Sequence, residues 1–217
     1  MESMARGGTR WKRFALVMVP SVAATAAIGV GLAQGALAAS FAVSGQEFKV
    51  KAGHLEGYGF AQYGGLNEGY KNLSGDEKVK HPVAISTFEN ATINDMCQSV
   101  VTDVPGFGKV TMKLKAGEGK SEVKAKNLYL DISDLEADAT FSNIDIGVAA
   151  KDTDVRRGGK GPEVKDKILP NSFAQQADKA VLKGAKQTAW ATTAGTFTLG
   201  GLKMELHRGD GSDVECF

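Results

Sequence analysis

The side chains that could do chemistry are few: two cysteines and three histidines in 217 residues. Cys97 and Cys216 make an even pair. In an oxidising compartment such a pair bonds, closing roughly 120 residues and pinning the C-terminus; two unpaired thiols, one buried, is the other outcome. A hydrolase needs a nucleophile beside a positioned base. Ser212 lies near His207 in sequence, within Gly209-Asp-Gly-Ser-Asp213, but no Gly-x-Ser-x-Gly elbow occurs. That stretch reads as a polar C-terminal turn. His54 and His81 stand beside Gly and Pro and read as surface histidines in loops. Gly119-Lys120-Ser121 imitates the end of a phosphate-binding loop, but Leu114 occupies the position where that loop needs glycine. Asp210, Ser212 and Asp213, or Asp152 and Asp154, lack the acidic spacing of a calcium loop. Arg208-Gly209-Asp210 matches an adhesion tripeptide too short to argue from, and Asn72-Leu-Ser74 and Asn90-Ala-Thr92 are glycosylation sequons. No catalytic, cofactor-binding or metal-ligating residue is assigned.

Composition points the same way. Lys and Arg (26) nearly balance Asp and Glu (25), so no polyanionic partner is implied, and neither nucleic acid nor nucleotide is expected. Two cysteines exclude a disulfide-dense miniprotein. Glycine stands out at 27 residues, above the usual ~7%.

The balanced charge conceals two unlike parts. Residues 1–13 carry Arg6, Arg10, Lys12 and Arg13 against Glu2. Phe14–Ala39 then runs 26 residues without a charge, enough for a helix to cross a hydrocarbon core that needs ~20. The basic flank sets residues 1–13 in the cytoplasm and residue 40 onward outside. The segment reads either as a retained membrane anchor or as a signal peptide. Ala36-Leu37-Ala38 would then be the recognition site, with cleavage before Ala39. Taking away this leader removes four basic residues and one acidic one, so a formal +1 becomes −2 for the rest.

The elements beyond the leader are read from alternation. Val110, Met112 and Leu114 alternate with polar residues, and Val123-Lys-Ala125 resumes after Ala116–Ser121; this predicts a hairpin. In Asn127–Val148 the apolar positions run Leu128, Leu130, Ile132, then Leu135, Ala137, Ala139, Phe141, then Ile144, Ile146, Val148. The parity switches at Ser133-Asp134 and Ser142-Asn143, so the chain must bulge or bend there to keep one face buried. Gly200-Gly201, between Phe197-Leu199 and Leu202-Met204-Leu206, reads as another turn. Gly57–Tyr63 with Gly64-Gly65 reads as a glycine-aromatic loop or irregular edge strand, Asp152–Leu169 as an exposed, mobile loop, and Ser172–Ala194 as one short helix, with a strand from Ala177 on as the alternative. The fold expected is mainly β: a single exported domain of short strands with tight corners, as a sandwich, curved sheet or solenoid-like coil, over residues 40–217, behind one apolar N-terminal helix at 14–39.

The leader Gly8-Thr-Arg-Trp-Lys-Arg-Phe14, the stretch Ala38–Gly45, Gly59-Phe-Ala-Gln-Tyr63, the strand block Asn127–Gly147, Trp190–Leu199 and the terminal Glu215-Cys216-Phe217 together resemble a family of exported proteins from high-GC Gram-positive bacteria. The family is a domain of unknown function whose members often carry the label cholesterol esterase. The resemblance covers nearly the whole chain. It implies a cell-envelope location and a β-rich body, and it places no catalytic residue on this chain. The function expected is therefore a non-enzymatic envelope protein with a structural or interaction role. Its partners would be the membrane, through the N-terminal helix, and an envelope protein or lipid. A secreted esterase acting on sterol or lipid esters is the alternative. A curved sheet with small residues such as Ala137 and Ala139 turned inward could leave an apolar groove; a filled core is the expectation.

Overall fold

The computed structural model describes residues 44–164 and 168–217. The expected leader, with Ala36, Ala38 and Ala39, lies outside the described residues. Eight antiparallel strands form one sheet: β1 Phe48–Tyr70, β2 Lys78–Val104, β3 Gly108–Ala116, β4 Val123–Ser142, β5 Asp145–Ala149, β6 Phe173–Thr193, β7 Thr196–Leu199 and β8 Lys203–Arg208. The mainly β expectation holds. The strands are not short, however: β1, β2, β4 and β6 run 23, 27, 20 and 21 residues.

These four close into a ring. Gly64 pairs with Ala84, Ala84 with Ile132, Ile132 with Ala189, and Ala189 with Phe48. One circuit returns to β1 16 residues before its start, a large stagger for four strands. Strong stagger means strong tilt, so each long strand wraps around the barrel.

The corners lie inside the strands. Inward positions on β1 run Val50, Ala52, then Leu55, Gly57, then Phe60, Gln62; on β2 they run Ser86, Phe88, then Ala91, Ile93, then Met96, Gln98. Parity therefore switches twice on each strand, where the ladder skips. One line of skips joins Gly53, Asp95 (φ 51°) and Gly184 (φ 60°); the other joins Gly59 (φ 63°), Glu89 and Asn127 (φ 48°). Neighbouring strands bulge together, so the β1–β2 register stays constant while the ribbon turns.

The parity argument for β4 succeeds once. Ser133 bulges out, carrying the inward set from Leu128, Leu130 and Ile132 to Leu135, Ala137, Ala139 and Phe141. Past Ser142 it fails: Ile146 is exposed and Val148 joins a second cluster with Tyr63, Ile85 and Tyr129 on the barrel's outer surface.

Several further expectations are corrected. β3 and β4 do not form a hairpin; both run antiparallel to β2, end to end along one of its edges. The Gly200-Gly201 turn is present, but as a jog rather than a hairpin, because β7 continues along β4 and β8 along β3. The two jogs touch where Gly117 N–H donates to the Gly200 carbonyl. The glycine-aromatic stretch is interior strand, paired with β2 on one side and β6 on the other. Gly57 lacks a Cβ there because the Phe88 ring occupies that space. The expected helix at 172–194 is β6, whose alanines suit the barrel's small inward positions. His54 and His81 lie on β1 and β2, not in loops. Within Asp152–Leu169, the part expected to be exposed includes buried Thr153 and Asp154, folded by two single-turn 3-10 helices, Ala150–Asp152 and Val155–Arg157.

Candidate functional site

The barrel is not filled. An apolar cavity of about 390 Å³ lies inside it, walled by Val50, Ala52 and Leu55 of β1, Ile93 and Met96 of β2, Leu128 and Leu130 of β4, and Leu182 and Ala185 of β6. Phe197 and Leu199 of β7 complete the wall. A smaller chamber of about 130 Å³ adjoins it and shares Leu130, Leu182 and Gln187. Ala137 and Ala139 line this smaller chamber with Phe60, Phe88 and Phe141. The expected filled core gives way because seven of the 17 buried core residues are alanine. Alanine on a steeply tilted barrel leaves volume that larger side chains would have occupied.

Among the described residues no charged residue lines either chamber. The polar groups of the main chamber are Gln98, Gln187 and Thr192. Gln98 and Gln187 face each other across one row, since both pair with Val50. Neither side-chain amide has a hydrogen-bond partner among the described residues, and Gln187 is only 9% exposed. The row continues outward through Leu114 to Met204, and the neighbouring row through Met112 to Leu206. Met204 and Leu206 are 65% and 71% exposed, so the apolar face of the cavity wall runs on to the sheet's edge.

The other face of β1, β2 and β3 is covered by the C-terminal tail. Cys97 and Cys216 are bonded. Lys49 pairs with Glu215 at 2.8 Å, Lys113 donates to the Glu215 carbonyl, and Cys216 N–H donates to Ser99. Burial raises the Glu215 carboxyl, but the Lys49 ammonium and the Gly211 N–H outweigh it and hold the group below its ordinary value. The tail leaves the cavity face free.

The other sequence candidates have structural roles. Arg208 stacks over Phe107 and Asp210 pairs with Lys109 at 2.6 Å, so both charges of the adhesion-like tripeptide are engaged. His207 contacts Glu205, Ser212 is exposed, and no hydrogen bond joins Ser212 to a histidine among the described residues. His81 stacks on Trp190 at 3.7 Å. Among the described residues no group of three His, Cys, Asp or Glu could hold a metal ion. Gln98 and Gln187 escaped the sequence reading, although each is a lone amide on an apolar parity: Met96-Gln98-Val100 and Ala185-Gln187-Ala189.

With the barrel, its cavity and its tail in view, the comparison with known families is informative. Residues 44–217 match DUF6230, a family of unknown function. The chain belongs to this family. The matched range takes in the whole DUF6230 barrel and the bridged tail, so the cavity lies within the family's own domain. No curated protein and no solved structure matches the chain.

Proposed function

We propose that this DUF6230 member is a non-enzymatic cell-envelope protein that holds a lipid-class molecule in its barrel. Residues 14–39 export it or anchor it, leaving the body outside the membrane. One observation carries the reading: a cavity of about 390 Å³ with an apolar wall and no charged lining residue. Ligand sites in proteins span about 300–1,000 Å³ and have this character. The bonded Cys97–Cys216 pair supports an oxidising compartment.

The test is saturable binding of the neutral fluorophore N-phenyl-1-naphthylamine by the full chain, with solvent extraction of the purified protein for co-purifying lipid. Saturable fluorescence enhancement supports the reading. A protein that binds no fluorophore and yields no lipid would overturn it. Ester turnover, with fluorophosphonate labelling lost in Ser212→Ala, would favour the esterase alternative instead.

A further inference from the structure

We infer that the cavity selects ligands whose apolar body carries an uncharged head group able to both donate and accept hydrogen bonds: a hydroxyl, or a hydroxyl beside an ester. This rests on the cavity reading above and adds the class of ligand. The argument begins with Gln98 and Gln187. They flank Val50 in one cross-strand row, and both line the main chamber. Two strand spacings place their backbones about 10 Å apart, a gap that two glutamine side chains reach into from both sides. Gln187 is 91% buried as a residue and Gln98 half-buried; no hydrogen bond joins either amide to a described residue, and neither is among the sealed, unpartnered polar atoms of the described residues, so both amides open onto accessible space.

An amide set in an apolar wall without a protein partner must be satisfied by water or by a ligand, and an apolar residue of similar volume would need neither. Elsewhere in the barrel this is handled differently: Gln62, in the smaller chamber, donates to Ser86 at 2.8 Å and accepts from Gln175 at 2.6 Å. The free pair therefore differs from the paired one within a single sheet. Each free amide offers a carbonyl acceptor and an NH2 donor. A carboxylate only accepts, and its charge would enter a chamber with no lining cation. A hydroxyl-bearing head satisfies both kinds of group with no charge to bury.

The experiment uses the full chain and displacement of N-phenyl-1-naphthylamine by four ten-carbon probes: 1-decanol, monodecanoylglycerol, decanoate and decane delivered from cyclodextrin. Decanol and monodecanoylglycerol should displace the fluorophore with apparent affinities at least about tenfold above those of decanoate and decane, roughly the effect of one hydrogen bond. The Gln98→Leu/Gln187→Leu double variant, shown to be folded by its thermal melting, should still bind the fluorophore, and probe affinities are compared as ratios within each protein. Its preference for the hydroxyl-bearing probes should disappear. Equal displacement by decanoate, or a preference that survives in the double variant, overturns this inference and leaves the cavity reading standing. Failure of the fluorophore to bind at all overturns both.

Discussion

At the scale of single residues, two positions show how tightly the sheet is tied on both faces. Gly57 faces Phe88, a ring only 1% exposed and packed 5.4 Å from Phe60. A methyl at Gly57 would overlap that ring, which could yield only by giving up its packing on Phe60 and shifting toward the smaller chamber. Gly57→Ala should therefore destabilise the fold by about 1–3 kcal/mol, the range of overpacked cores, measured by urea unfolding. On the outer surface Tyr129 donates to the Glu163 carbonyl at 2.7 Å. Burial first, then the nearby Glu163 and Asp154 charges, pushes its phenol from 10.0 up to about 12. Folding thus favours the neutral phenol. That contribution is complete below pH 10 and is lost as pH rises from 10 through 12. Urea midpoints of the wild type should fall more steeply across that window than those of Tyr129→Phe. At neutral pH the variant should lose about 1 kcal/mol with its hydrogen bond.

At the scale of elements, alternation revealed strand character and the Ser133 bulge but not strand partners. The period of Val110–Lys115 is the same whether β3 pairs with β4 or follows it along β2, so a hairpin and a jog look alike in sequence. Glycine misled for a related reason. Gly57 clears space for the Phe88 ring of the neighbouring strand and Gly59 takes a positive φ against Glu89 and the Lys160 carbonyl, contacts that lie far away along the chain. The alanines of β6 mimic a helix because their small size answers the barrel's curvature rather than any helical stripe. The disulfide was legible, since an even cysteine pair in a chain read as exported leaves few alternatives. Its position makes a separable prediction. Cys97 and Cys216 are 119 residues apart and lie on the face opposite the cavity. Reduction, or the Cys97→Ala/Cys216→Ala double variant, should lower unfolding free energy by about 2–5 kcal/mol. The Lys49–Glu215 and Lys113–Glu215 contacts should still seat the tail. Fluorophore affinity measured under native conditions should stay within twofold.

At the scale of the whole molecule, the barrel combines full closure with an unfilled interior. β1 has ladder partners on both edges for most of its length, so its own edges are covered, while β7 and β8 each pair on one side only. The same closure, with a 16-residue stagger and alanine at Ala52 and Ala185 in the wall, leaves the main chamber open. If the space serves a ligand, stability and binding should respond oppositely to filling it. Ala185→Leu adds three carbons to a wall residue that is already 5% exposed and faces the cavity. At about 0.8 kcal/mol per buried methylene the gain is at most about 2 kcal/mol, and imperfect fit reduces it to about 1. A close-packed core would give the reverse, a loss of about 1–3 kcal/mol. The paired measurement is urea unfolding with fluorophore titration on the same variant. The open barrel requires a higher unfolding midpoint together with at least tenfold weaker binding; a lower midpoint would mean that the interior has no room to fill.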